Sequence, residues 1–107
     1  MVKITIQKSN QVWKGFISSG HAGYLDEGQD IICAAISVLI INTINSIEKF
    51  LPETKFQVNE NKGYIHFKLD CNPDEKTELL LNSMLLGLEE IQKQYNKKYV
   101  KLKFEEV

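Results

Sequence analysis

Alternating hydrophobic and polar positions open the chain and predict its first β-hairpin. Val2, Ile4 and Ile6 alternate with polar residues, which is the period-two pattern of a strand with one buried face. Residues 8–11 have turn chemistry, and residues 12–18 form a second predicted strand. Two strands joined by so short a polar segment are typical of a hairpin.

Two longer segments have the apolar content and the end signals of helices. The first is predicted from Asp30, as its N-cap, to Phe50, because Pro52 cannot continue a helix. The first half of this helix is apolar nearly all round, which indicates that it is covered on most sides by the core, by a partner subunit or by both. The second helix is predicted to start at Asn72 as N-cap, with Pro73 in the first helical position.

The order of the elements predicts the fold class. A second hairpin over residues 56–69 lies between the two helices, and a last strand is predicted over residues 99–104. The order ββαββαβ favours an α+β fold in which two helices pack on a mostly antiparallel sheet. A chain of 107 residues without a linker or repeat forms one small domain, residues 1–107.

Charge and composition limit the classes of partner and the cellular location that we expect. The net charge is -1, and the 13 basic residues are all lysines, so we expect no direct binding of nucleic acid. The apolar run from Ile31 to Ile41 is shorter than the about 20 residues that span a bilayer, so we expect no membrane span. The chain opens on a strand pattern and not on a targeting signal, and it has only two cysteines, which favours the cytoplasm and reduced thiols.

Cys33 and His21 are the candidates for chemistry. In a helix capped by Asp30, Cys33 lies in the first turn, where unpaired amides favour a thiolate and can donate to an oxyanion. The Asp30 carboxylate opposes that effect, which makes an imidazolium partner such as His21 more necessary. The alternative is that Cys33 is a small buried residue of an apolar helix and His21 a solvated loop residue.

The residues around this pair suggest supporting roles. Ser37 follows Cys33 by four positions and shares its helical face. Its hydroxyl can donate to the sulfur or to a substrate carbonyl, or can bond back to the Cys33 carbonyl. We expect the glycine-rich loop of residues 20–28 to close over a bound peptide as a gate, and its predicted members are Gly20, Gly23, Tyr24, Leu25 and Gly28.

We predict no metal and no cofactor. Four residues are possible zinc ligands: His21, Cys33, His66 and Cys71. They lack the short paired spacings of zinc sites.

The segment from residue 20 to residue 37 resembles the signature of the ribosomal-processing cysteine protease family, Prp. The residues that carry the resemblance are Gly20-His21-Ala22, Tyr24, Gly28 and the run Asp30-Ile31-Ile32-Cys33-Ala34-Ala35-Ile36-Ser37. Carried over position by position, His21 and Cys33 match the catalytic dyad of that family, and Asp30 and Ser37 match supporting positions.

The resemblance implies a specific activity. Members of the family remove a short N-terminal extension from a protein of the large ribosomal subunit during ribosome assembly, and they act as homodimers. The expected function is therefore a cysteine endopeptidase with Cys33 as nucleophile and His21 as general base. The alternative is a dimeric, ribosome-associated binding module without chemistry. The sequence leaves three points open: the cleavage sequence, whether the native substrate carries an extension, and whether Asp30 orients His21 or only caps the helix.

Overall fold

The computed structural model describes residues 1–20, 27–95 and 99–107. Its elements follow the predicted order and are β1 (Val2–Ser9), β2 (Val12–Ser19), α1 (Glu27–Phe50), β3 (Phe56–Asn61), β4 (Tyr64–Leu69), α2 (Glu75–Tyr95) and β5 (Val100–Glu106). The predicted α+β class is confirmed.

The five strands form one sheet in the order β3-β4-β2-β1-β5. Every neighbouring pair is antiparallel except β1 and β5, which are parallel. The first hairpin turns on Asn10 and Gln11, both with positive φ, as a two-residue type I′ turn requires. The second turns on Lys62 and Gly63, so β3 continues to Asn61, through positions 59–61 that the sequence assigned to the turn.

The core lies between the sheet and the two helices. The rings of Phe16 and Phe67 stack across β2 and β4 at 5.1 Å, and Phe56 on β3 packs against Phe67 at 5.0 Å. Buried helix residues spaced three, four or seven positions apart belong to the same core as these rings: Ile32, Ile36, Ile40 and Ile47 on α1, and Leu81, Met84 and Leu88 on α2. Burial on this scale, about 1.5–3 kcal/mol for each large apolar side chain, fixes both helices on the same face of the sheet.

Helix α1 begins at Glu27 and not at Asp30, so the prediction that Asp30 caps it is wrong. Gly28, predicted to be in the gate loop, is likewise in the first turn of the helix. A glycine inside a helix costs about 1 kcal/mol relative to alanine, which is less than the apolar face of this helix gains by burial. Cys33 is therefore the seventh residue of α1, beyond the four unpaired amides at its start.

Part of α1 is long and apolar enough, by length and composition alone, to cross a membrane. This stretch, Ile31–Phe50, is longer than the apolar run of residues 31–41 on which the sequence estimate rested. Only 28% of it is buried in the protein. Its buried isoleucines pack on the sheet as in the core helix of a globular protein, while Ile31, Val38 and Ile41 are exposed.

Asp74, and not Asn72, caps helix α2. The Asp74 Oδ1 atom accepts a hydrogen bond from the Thr77 N–H at 2.8 Å, and the Asp74 carbonyl accepts the first intrahelical bond, from Glu78. Asn72 instead accepts a hydrogen bond from Lys14 Nζ at 3.0 Å. Both residue types are good caps, and the carboxylate gains further from the positive end of the helix dipole.

We expect Asp74 to make stability depend on pH only in the acid range. The hydrogen bond from the Thr77 backbone N–H, followed by that from its hydroxyl, lowers the pKa of Asp74 below its ordinary value. A carboxyl with a lowered pKa in the folded state stabilises the fold above the pKa of the unfolded chain, about 3.9, and this contribution is lost as the pH falls through the folded value. The unfolding free energies of wild type and Asp74→Ala should therefore converge in urea titrations below about pH 4. Asp74→Asn keeps a cap without a charge, so its unfolding free energy should differ from that of Asp74→Ala by the same amount at all pH values. A difference between wild type and Asp74→Ala that widens in acid would contradict the assignment of Asp74 as a charged cap.

Candidate active site

Cys33 lies on the wall of a cavity of about 230 Å³ at the N-terminal part of α1. Its side chain is half-buried and packs against the core. One and two turns further along the helix, Ser37 and Ile41 line the same cavity. Spacings of four residues place side chains above one another on one helix face, so α1 presents a thiol, a hydroxyl and an apolar group in a row.

The opposite wall of the cavity comes from the second hairpin. Glu60, Asn61 and Tyr64 lie at the end of β3 and the start of β4, and Ser18 on β2 lies between the hairpin and α1. Among the described lining residues Glu60 carries the only charge. The cavity therefore combines hydroxyl and amide groups with one carboxylate beside the thiol. Sequence reasoning missed this wall, because no local signal relates residue 60 to residue 33.

A backbone junction at Gly20 closes the end of the cavity. The Gly20 N–H donates to the Gly63 carbonyl at 2.9 Å, which ties the end of β2 to the turn of the second hairpin. Gly20 has a φ of 98, and a Cβ at this position would collide with the carbonyl oxygen of Met1. Only glycine fits such a site without strain.

The predicted base, His21, follows Gly20 directly in the chain, and Gly20 lines the same cavity as Cys33. His21 itself lies outside the described residues, as do the predicted gate residues Gly23, Tyr24 and Leu25. The dyad and the gate therefore stay predictions.

Ser37 lies where the sequence predicts, on the Cys33 face of the helix. Its exposed hydroxyl forms no hydrogen bond with any residue that the structure describes, although Thr43, on the same helix, bonds back to the Leu39 carbonyl at 2.7 Å. The back-bonded hydroxyl therefore has no support in this geometry, and a hydrogen bond from Ser37 to the sulfur or to a substrate carbonyl stays a prediction.

The remaining candidate residues lie elsewhere. His66 is on the open face of the sheet beside Lys68, as its place between two core residues predicts. Cys71 is exposed and its sulfur lies 3.8 Å from the Lys55 carbonyl oxygen. Within residues 1–20, 31–95 and 99–107, whose side chains the structure describes, no three acidic, cysteine or histidine side chains are close enough together to hold a metal ion.

A larger cavity, of about 470 Å³, lies between the end of α1 and the start of α2. Phe50, Pro52 and Lys76 are among its lining residues, which include no thiol and no imidazole. The smaller cavity is therefore the candidate site, because it alone of the two is lined by a thiol.

A helix-borne thiol that opens on a polar cavity is the arrangement used by cysteine hydrolases. The sequence model of the family described as "Cysteine protease Prp" matches residues 1–101. The chain belongs to this family, and the predicted enzyme class is confirmed.

Two relatives agree in sequence along most of the chain. The ribosomal processing cysteine protease Prp of Bacillus subtilis (strain 168) is 30% identical over 103 residues, which cover 89% of this chain and 90% of the relative. The protein of the same name from Staphylococcus aureus (strain Mu50 / ATCC 700699) is 33% identical over 97 residues, with the same coverage.

Solved structures agree in fold. The crystal structure of an essential ribosomal processing protease Prp from S. aureus in complex with a substrate peptide has a TM-score of 0.89 and 23% identity, over 98% of this chain and 100% of the other. A crystal structure from Streptococcus mutans has a TM-score of 0.83 and 27% identity, over 100% and 99% of the two chains.

We predict that Gly20→Ala destabilises the protein by about 1–3 kcal/mol, because the backbone is in a region that L-residues avoid and the new Cβ meets the Met1 carbonyl. Thermal unfolding followed by circular dichroism measures the change. Gly87→Ala is the matched control, since this helical glycine meets only the end of the Leu39 side chain, at 2.9 Å. A loss in Gly87→Ala as large as that in Gly20→Ala would contradict the role of the junction.

Proposed function

We propose that this protein is a cytoplasmic endopeptidase that removes the N-terminal extension of a large-subunit ribosomal protein. The observation that carries the proposal is the cavity lined by Cys33, in a chain of the Prp family. Gly20, the residue that directly precedes His21, lies at the end of this cavity. The names of the relatives in B. subtilis and S. aureus support ribosomal processing as the biological task.

In this mechanism His21 takes the proton of the Cys33 thiol, and the thiolate attacks the scissile carbonyl carbon. His21 then returns the proton to the leaving amine, and the carbon–nitrogen bond breaks to give an acyl-enzyme thioester. Water, deprotonated by His21, hydrolyses the thioester and restores the thiol. The Ser37 hydroxyl donates to the substrate carbonyl oxygen, whose negative charge grows as the sulfur adds.

We expect Cys33→Ala to abolish cleavage of N-terminal peptides of large-subunit ribosomal proteins, read by mass spectrometry. Cys71→Ser should stay within a few fold of wild type, because Cys71 lies outside the cavity and is exposed. Iodoacetamide should label Cys33 faster than Cys71 near neutral pH, as expected of a thiol activated by a base. Equal and slow labelling of both thiols would favour the non-catalytic binding module instead.

We also propose a homodimer whose interface includes the outer face of the helices. The Leu39 side chain occupies the space that a Cβ at Gly87 would enter, where α1 and α2 meet. The residues next to these two in sequence, Val38 and Leu86, are 67% and 62% exposed. Exposed apolar side chains on two packed helices are costly to leave in water and are typical of a subunit interface.

The double variant Val38→Glu/Leu86→Glu should shift the mass in light scattering from about twice 12.3 kDa to 12.3 kDa. Buried carboxylates without partners oppose association. Phe104→Glu, at an equally exposed apolar residue on β5, is the control and should leave the mass unchanged. A monomeric wild type at micromolar concentration would contradict the dimer.

A further inference from the structure

Strand β3 forms one edge of the sheet, and its outer side has no partner among the described residues. The Asp70 N–H donates to the Lys55 carbonyl at 2.9 Å, so the residue just before β3 directs its backbone toward β4. Hydrogen-bonded and non-hydrogen-bonded pairs alternate along an antiparallel ladder. The amides and carbonyls of Phe56, Val58 and Glu60 therefore face outward, away from β4.

The side chains of the same residues face α1. Phe56 packs on the core ring of Phe67, and Glu60 lines the cavity opposite Cys33 and Ser37. Strand β3 therefore has both features of a peptide-binding edge, which are unpaired backbone groups along its side and a pocket for alternate side chains. The edge from Phe56 to Glu60 is about 14 Å long, at about 3.4 Å for each residue.

This edge is continuous with the candidate active site. Its Glu60 end forms the cavity wall, and the chain directions place Phe56 toward the C-terminal end of α1. Two exposed apolar side chains accompany it, with Ile41 on the helix 44% exposed and Val58 on the strand 36% exposed. An extended segment along β3 would place every second side chain against this apolar surface and would lead its backbone to the thiol.

From this geometry we infer that the substrate binds as an additional β-strand on the outer edge of β3. The inference rests on the proposed function and adds how the substrate is held. The occupant is an extended peptide segment on one side of the scissile bond, about four residues long, held by main-chain hydrogen bonds to Val58 and its neighbours. Side-chain specificity then comes from the residues that alternate toward α1.

The Val58 amide gives a sharp test, because proline is tolerated on an edge strand where the N–H faces outward. Val58→Pro removes one donor and should lower kcat/KM about tenfold for a ribosomal-protein peptide that the wild type cleaves. Val58→Ala keeps the amide and should lose about threefold or less. Phe104→Pro is the matched control on β5, the opposite edge strand, and it should leave kcat/KM unchanged. The hydrogen bonds of Tyr99 and Val107 to β1 show that the Phe104 amide also faces outward.

A second measurement does not depend on the folding of a proline variant. In Cys33→Ala saturated with the same peptide, hydrogen exchange of the Val58 and Glu60 amides should slow about tenfold or more, as for newly paired strand amides, while that of Phe104 stays constant. Unchanged exchange at Val58, or full kcat/KM in Val58→Pro, would overturn strand addition and leave the protease intact. If the wild type cleaves none of the peptides, the proposed function fails and the docking mode fails with it.

Discussion

The Gly20 backbone is the constraint on which the candidate site depends. Its N–H holds the turn of the second hairpin through Gly63, and its missing Cβ leaves room for the Met1 carbonyl. Met1, Gly20 and Gly63, which are distant in sequence, therefore meet at the residue that precedes His21. The same contact brings Glu60 and Tyr64 over the Cys33 face of α1, because both lie within a few residues of the hairpin turn.

Local patterns predicted much of the fold because they report burial directly. Val2, Ile4 and Ile6 are all buried, as their alternation predicts, and Leu81, Met84 and Leu88 form the buried face of α2 at helical spacing. The parallel pairing of β1 with β5 could not be predicted, since pairing between residues as far apart as Val2 and Val100 leaves no local signal. The helix starts were wrong by three residues for α1 and by two for the cap of α2, because several residues near each start are suitable caps.

The candidate site, like the fold, could be predicted from the sequence only in part. The Cys33–Ser37 face follows from a spacing of four residues within one helix, and the sequence predicts it correctly. The opposite wall, with Glu60 and Asn61, depends on tertiary pairing and carries no motif. The edge position of β3 is also invisible in the sequence, because the pattern of one strand does not show whether its second side is paired. The position of the proposed nucleophile thus follows from spacing within one helix, whereas that of the proposed substrate-binding edge follows from strand pairing across the sheet.

The position of Cys33 changes the chemistry expected of it. The helix dipole acts mainly within the first turn, and Cys33 is the seventh residue of α1. Its backbone amide is bonded within the helix, so it is not one of the unpaired donors that would hold an oxyanion. In the proposed mechanism, activation of the thiol therefore depends on His21, which lies outside the helix in sequence, and stabilisation of the oxyanion depends on side chains such as Ser37. Since the Gly20 junction fixes where the chain leaves β2, it also fixes the point in the fold from which His21 of the proposed dyad follows in sequence.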